Sequence, residues 1–257
     1  MGVDDEEVLI EQTDGVLVVT INRPQARNAI NENVAHAIGK AMDELDSSPE
    51  LRVGILTGAA GTFCAGMDLK AFVKGEHPVV EGKGFAGLVQ GPPAKPLIAA
   101  VEGYALAGGF EIVLACDLVV AAEDASFGIP EVKRSLVAAG GGLLRLPQRI
   151  PYHRAMELAL LGNHVSAQEM HQFGLVNRLV PSGGALAKAK ELAAEIAANG
   201  PLSVAATKRI IVESSDWGQD ESWVEQEKIA RPVAKSADAT EGATAFAEKR
   251  PPVWQGR

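Results

Sequence analysis

Two glutamates twenty positions apart, Glu111 in GYALAGGFEIVLACD (103–117) and Glu131 in SFGIPEV (126–132), stand in segments that are otherwise apolar and glycine-rich. A carboxylate in such surroundings is paired, catalytic, or at the mouth of a cleft, because burying it uncompensated is costly. Upstream, TFCAGMDLK (62–70) sets Gly66 beside Met67 just after an apolar, strand-like run. That arrangement suggests a turn in which backbone N–H groups face a ligand. Groups able to move protons and donors able to meet a ligand therefore fall within one stretch of chain.

The surrounding elements read as a repeated order of strand, loop and helix. Val8 to Glu11 and Val16 to Ile21 are strands about an Asp14-Gly15 hairpin turn. Pro24 ends extended structure, and Asn31 can cap a helix running to about Asp46, with Val34, Ile38, Met42 and Leu45 on one stripe and Ser47-Ser48-Pro49 stopping it. Val53 to Thr57, Leu97 to Val101 and Leu118 to Ala122 suit buried strands, and a short helix from about Gly108 to Ala115 carries Glu111. Ligands of such sheets collect beyond strand carboxyl ends, where loops and helix N-termini converge, and both glycine-rich motifs lie there. Phe72 to Pro93, with Gly75, Pro78, Gly82, Gly84, Gly87 and Pro92-Pro93, reads as a mobile or variable flap. The last third is helical over Ser182 to Asn199, Leu202 to Ser214, Trp217 to Arg231 and Ala237 to Ala247, with breaks at Gly200-Pro201, Asp216 and Arg231-Pro232.

Composition bounds the function. A chain of 257 residues, 47% hydrophobic, can bury one substantial α/β core. Its formal charge of −9 and scattered basic residues argue against a nucleic-acid partner, which needs a concentrated basic surface. Cys64 and Cys116 have no metal-ligand spacing and read as reduced core thiols; the five histidines show no metal pattern either. The glycines of GAAGTFCAG and AAGGG match neither a phosphate-binding loop nor a dinucleotide fingerprint, and Ser135 lacks the elbow of a hydrolase nucleophile. The acidic start, MGVDDEEVLIEQ, has no secretion signal, Gly2 has no myristoylation pattern, and no apolar run is long enough to span a bilayer. A cytoplasmic protein without a membrane partner is expected.

FCAGMDLK, GYALAGGFE and FGIPE, in this order and at these separations, resemble the enoyl-CoA hydratase/isomerase family, the crotonase superfamily, and most of all an enoyl-CoA hydratase. The likeness runs from about Val16 to FAEKR at Phe246 to Arg250. It implies an α/β fold, a spiral of repeated ββα units, that periodicity alone does not distinguish from a doubly wound sheet. Residues 1–199 would form the spiral core with an acyl-CoA site. Residues 200–257 would form a C-terminal helical region that covers the site and builds a homotrimer or a dimer of trimers.

The resemblance also assigns roles. Addition of water to an enoyl thioester builds negative charge on the thioester oxygen, which two N–H donors must meet. Those donors would be the amides of Met67 and Gly108. Glu111 would position and deprotonate water and Glu131 would deliver the α-proton, or the two would share these tasks, the pair titrating together. The substrate's coenzyme A would contact Ala65, Gly66, Asp68, Leu69 and Lys70, with Arg23 a further candidate, Ala139 beside the water or acyl chain, and Phe246 and Lys249 reaching a neighbouring subunit. No metal or redox cofactor is called for. Both glutamates together favour hydration over double-bond isomerisation; the same fold would also suit an acyl-CoA hydrolase or a silent acyl-CoA-binding subunit. Ser135 to Ala139 departs from the family's glycine- and proline-containing pattern, which bears on pocket shape, whereas Ala107 in place of glycine looks harmless.

Overall fold

The computed structural model describes residues 6–257, so the readings made on Met1 to Asp5, Gly2 included, lie outside the described residues. Strands β1 (Val8–Thr13) and β2 (Val16–Ile21) form the expected hairpin, paired from Val8 opposite Ile21 to Thr13 opposite Val16. Asp14 and Gly15 both take positive φ, 51° and 78°, as a two-residue turn matched to strand twist requires. Asn31 caps α1 (Glu32–Ser47) by accepting from the Val34 amide at 2.9 Å, and Val34, Ile38, Met42 and Leu45 are buried.

From there the chain repeats one pattern three times: a strand in a large sheet, a short strand in a small sheet, then a helix. The first turn is β3 (Val53–Gly58), a single bridge at Cys64, and α2 (Leu69–Val73), followed by the small hairpin β4 (Val79–Val80) and β5 (Gly84–Phe85). The second is β6 (Leu97–Val101), β7 (Tyr104–Leu106) and α3 (Gly108–Ala115). The third is β8 (Leu118–Ala122), β9 (Ser126–Gly128), a 3₁₀ turn over Glu131–Arg134, and α4 (Gly142–Arg149). Next come α5 (Tyr152–Leu161), β10 (Val165–Ser166), α6 (Ala167–Gln172), β11 (Arg178–Val180) and α7 (Ala185–Ala197). Helices α8 (Pro201–Glu213), α9 (Ser222–Ala234) and α10 (Ala237–Glu248) close the chain.

The large sheet has the order β1-β2-β3-β6-β8-β11, parallel from β2 onward, and the small one β10-β9-β7. The large sheet is covered on both faces, which is why its strands are apolar without alternation. Leu17, Val19, Leu56, Ala99, Val101 and Val119 belong to the main core with α1 and α3; Val18, Ile55, Ile98, Ala100 and Val120 pack against Ala185, Ala189 and Ala193 of α7. Glu102, leaving β6, accepts from the amides of Gly183 and Ala185 at 2.9 and 2.8 Å and so fixes the start of α7.

The structure corrects one expectation and adds to the sequence reading at two further points. The break at Arg231-Pro232 is absent: α9 runs through Pro232 to Ala234, since a proline in the last turn removes one hydrogen bond without ending the helix there. The flap, read as mobile or variable, contains the β4–β5 hairpin and buries Ala86, Leu88 and Val89. Residues 132–181, left without elements by the sequence pattern, hold three helices and two short strands.

Candidate active site

The small sheet lines up the turns that matter. A bridge pairs Cys64 with Ala105, and Ala105 pairs with Phe127, so corresponding points of the three repeats lie side by side. The chain leaving them supplies Met67, Gly108 and Glu131, and Glu111 follows one turn into α3. Met67, Gly108, Glu111 and Glu131 all line one cavity of about 740 Å³.

Met67 is oriented by its neighbours. The Ile30 amide donates to the Gly66 carbonyl at 2.8 Å and the Asp68 amide to the Ile30 carbonyl at 2.9 Å. Along an extended chain the intervening Met67 N–H must then point the other way, into the cavity. Gly66 permits this with φ of 101°, and a Cβ on it would come within 2.9 Å of the Ala107 Cβ and 3.1 Å of the Gly108 nitrogen. The two turns are thus in contact. Among the described residues neither the Met67 nor the Gly108 N–H has an acceptor. Gly108 is the first residue of α3, where N–H groups are free and the dipole end is positive. A Cβ there would strike the Phe85 ring at 2.5 Å. Ala107 is held at φ 52°, ψ −128°, its amide bound to the Gly128 carbonyl at 2.9 Å. An L-residue pays about 1–3 kcal/mol for such a conformation, so this alanine is not the harmless replacement expected from the sequence.

Glu111 is only 4% exposed. Its Oε1 accepts from the Gly142 amide at 2.9 Å, and a Cβ on Gly140 would come within 2.5 Å of Oε2, so the glycine turn wraps the carboxyl closely. Burial pushes its pKa above the ordinary glutamate value, with the Gly142 and Gly140 amides and the Arg145 charge acting against the rise. Glu131 is half-buried at the start of the 3₁₀ turn, and its Oε2 is buried with no hydrogen-bond partner among the described residues. Burial raises its pKa as well; its own amide and Arg134 oppose the rise, and the charge of Glu111 adds to it. The charge state of Glu111 therefore bears on the ionisation of Glu131.

The remaining sequence candidates divide. Ala65, Leu69 and Ala139 line the cavity. Gly66 lies beneath it, as above. Asp68 caps α2 through the Lys70 and Ala71 amides at 3.0 and 3.2 Å and pairs with Arg23 at 2.9 Å. Burial works against its ionisation, but the Ala71 amide and Arg23 hold its carboxyl below the usual value. Arg23 also pairs with Glu7 at 2.7 Å and donates to the Ala29 carbonyl at 2.6 Å, so it braces the turn instead of lining the cavity. Lys70 is exposed on α2. Phe246, 88% exposed, and Lys249 lie at the end of α10. No residue after His164 lines this cavity within the chain.

Several further lining residues were not among the individual candidates, although the flap and the Ser135 to Ala139 loop that supply some of them stood out in the sequence. Arg27 stands beside Ala65, whose amide donates to the Arg27 carbonyl at 3.1 Å. Val79, Phe85, Val89 and Gln90 come from the flap, and Leu136 and Val137 from the loop after Glu131. Lys133, Arg134 and His164 add cations or a titratable ring to the same wall. For Lys133 and Arg134, the run of charge directly after Glu131 is the sequence feature that could have marked them. Cys64 and Cys116 are both buried and free, and burial pushes the Cys64 thiol up to about 12.

Three strand–strand–helix repeats meet at two N–H donors without acceptors and two carboxyls on one cavity, which defines a class of site able to steady a carbonyl oxygen that gains charge and to move protons beside it. The chain belongs to the enoyl-CoA hydratase/isomerase family, whose profile matches residues 11–257. It is similar to the solved enoyl-CoA hydratase EchA1 of Mycobacterium marinum, with 62% identity and a TM-score of 0.97 over 98% of this chain and 100% of that one. Enoyl-CoA hydratase EchA19 of Mycobacterium tuberculosis is 45% identical, covering 98% of this chain and 97% of the relative. A carnitinyl-CoA dehydratase of Salmonella enteritidis is 42% identical over 98% and 99%.

Proposed function

We propose that this chain is an enoyl-CoA hydratase, a hydro-lyase that adds water reversibly to trans-2-enoyl-CoA to give 3-hydroxyacyl-CoA in fatty-acid or related acyl-CoA degradation. The observation that carries this reading is the meeting of two carboxyls with raised pKa and two unpaired N–H groups on one cavity. The Met67 and Gly108 amides take the thioester oxygen as it gains charge. Each such donor contributes about 10²–10³ in rate. Glu111, kept in place by the glycine turn, orients water and removes its proton toward the β-carbon. Glu131 gives a proton to the α-carbon from its unpartnered oxygen. No metal or redox group is needed, because charge is met by amides and protons move between carboxyls.

The coenzyme A part lies along Ala65 to Leu69, with Lys70 and Arg27 near its phosphates. Phe246 and Lys249 meet the coenzyme A of a neighbouring subunit in a homotrimer or dimer of trimers. Helices α8 and α9 bury no residue within the chain and expose Ile211, Val212, Trp223 and Val224, which suits a subunit contact. The protein acts in the cytoplasm, with neither nucleic acid nor membrane as a partner; no helix among the described residues is long and apolar enough to cross a membrane.

The acyl wall favours an uncharged chain. Val79, Phe85, Val89, Leu136 and Val137 supply apolar surface, while Lys133 and Arg134 repel a cationic end group. A quaternary ammonium is held best by aromatic faces or carboxylates. Loss of conjugated-enoyl absorbance, followed across trans-2-enoyl-CoA esters of increasing length and bulk and one ester ending in a quaternary ammonium, tests the reading. Turnover of neutral esters above the cationic one supports it. Release of free coenzyme A, or no turnover at all, replaces it with hydrolysis or with silent binding.

A further inference from the structure

Arg145 lies on the first turn of α4, behind the glycine turn that holds Glu111. Its backbone amide donates to the Gly141 carbonyl at 3.0 Å, and its side chain folds back so closely that a Cβ on Gly141 would collide with Nη1. The guanidinium is half-buried, yet Nη2 donates to a main-chain oxygen, the carbonyl of Val89, at 2.5 Å. Val89 is itself 1% exposed and lines the cavity with Gln90. One side chain therefore touches both the acyl-side wall and the turn whose Gly142 amide grips the Glu111 carboxyl.

We propose that Arg145 is a positioning residue for hydration: its guanidinium fastens the Val89 wall to the glycine turn, and so fixes where Glu111 and the water it orients stand relative to the acyl chain. The proposal rests on the hydratase reading. Arginine suits this task better than lysine, because a planar fork can hold a fixed direction while a lysine ammonium on its flexible stem cannot. The charge has a second consequence. Glu111 is faced by Arg145 from α4 and by Glu131 from the 3₁₀ turn, besides the Gly140 and Gly142 amides. Arg145 is faced by Glu111, by Arg149 one turn along α4, and by Cys116, whose thiol burial keeps neutral. Arg145 is thus the cation that favours ionised Glu111, the form that can take a proton from water.

The test compares wild type, Arg145→Met and Arg145→Lys by kcat and KM on short and long trans-2-enoyl-CoA esters across pH, with thermal melting as a control for folding. Arg145→Met is expected to lose about 10²-fold in kcat/KM, the cost of a misplacement on the order of 1 Å. The loss is larger for long chains. Its acid limb moves to higher pH, because without the cation Glu111 keeps its proton to higher pH. Arg145→Lys keeps the limb in place but retains the chain-length-dependent loss, since it holds charge without the fork. A folded Arg145→Met with an unmoved limb and an equal loss for every chain length overturns the proposal and leaves Arg145 a structural tie. Should the methionine variant fail to fold, the lysine variant decides: a chain-length-dependent loss supports positioning, and wild-type rates overturn it. Hydration by the wild type with either overturning result removes only the role of Arg145; absence of hydration by the wild type removes the hydratase reading and this role with it.

Discussion

The two carboxyls of the cavity stand in unlike regions. Glu111 sits inside α3, 4% exposed, with one oxygen taken by the Gly142 amide and the other against Gly140. Glu131 stands at the exit of a small-sheet strand, half-buried, with an oxygen that no described group meets. Burial raises the pKa of both, but main-chain donors from a second element steady the charge of Glu111, while that charge pushes Glu131 further up. A carboxyl gripped by amides is suited to remaining ionised and orienting water. One with a free oxygen and a raised pKa is suited to holding a proton and giving it away.

The largest effects should come from removing either member of that pair. Glu111→Gln and Glu131→Gln are each expected to lose about 10²–10⁴ in kcat, measured by enoyl absorbance. The double variant should fall little below the worse single one, because groups that act as a unit are not additive. The pH profile sharpens the contrast. On the proposed division of roles hydration needs ionised Glu111 and protonated Glu131, so kcat/KM should be bell-shaped, falling in acid as Glu111 gains a proton and in base as Glu131 loses its own. Residual activity of Glu111→Gln should show the basic limb at lower pH, since the charge that raised Glu131 is gone.

Smaller effects separate holding from reacting. Gly140→Ala puts a methyl 2.5 Å from the Glu111 Oε2 and should cost about 10² in kcat by displacing that carboxyl, with little change in KM. Arg23→Met leaves Asp68 and Glu7 without their partner. Its side chain is 12% exposed, so the cost should be about 2–3 kcal/mol of stability by denaturant unfolding, somewhat below that of breaking a fully buried pair. KM for acyl-CoA should barely move, in contrast to a true coenzyme A contact. Smallest of all, Phe246→Ala should leave melting of the protomer unchanged and raise KM modestly in the assembled enzyme.

How much of this was legible follows from which forces were local. The Asp14-Gly15 turn, the Asn31 cap and the helix that carries Glu111 are written in neighbouring residues, and each stands where the pattern placed it. Helix α4 opens on Gly142 after two further glycines and contains Pro147, which are signals of a loop; tertiary packing of Leu146 overrides them. Ser166 and Glu169 form a capping box that did mark the start of α6 but stood in a stretch without a long apolar period. At the site, the glutamates and glycines were visible because their types are unusual where they stand. Arg145 was not, nor was the bracing role of Arg23, which the sequence offered as a coenzyme A contact, because a surface-seeking residue reveals a buried partner only when the chain is folded: Asp68 is 45 positions from Arg23, and Val89 is 56 from Arg145. The same holds for the small sheet, whose strands of two or three residues have no periodicity to read yet bring Met67, Gly108 and Glu131 together.

The division between the carboxyls is tested most directly by exchange rather than turnover. A saturated acyl-CoA can be enolised at the α-carbon in the same cavity but offers no double bond to water, so only the amide donors and the proton-carrying carboxyl take part. Incorporation of deuterium at that carbon from D₂O, followed by NMR for wild type and both variants, is expected to survive in Glu111→Gln and to vanish in Glu131→Gln. Exchange that is lost in Glu111→Gln and retained in Glu131→Gln would contradict the assignment of the α-proton to Glu131.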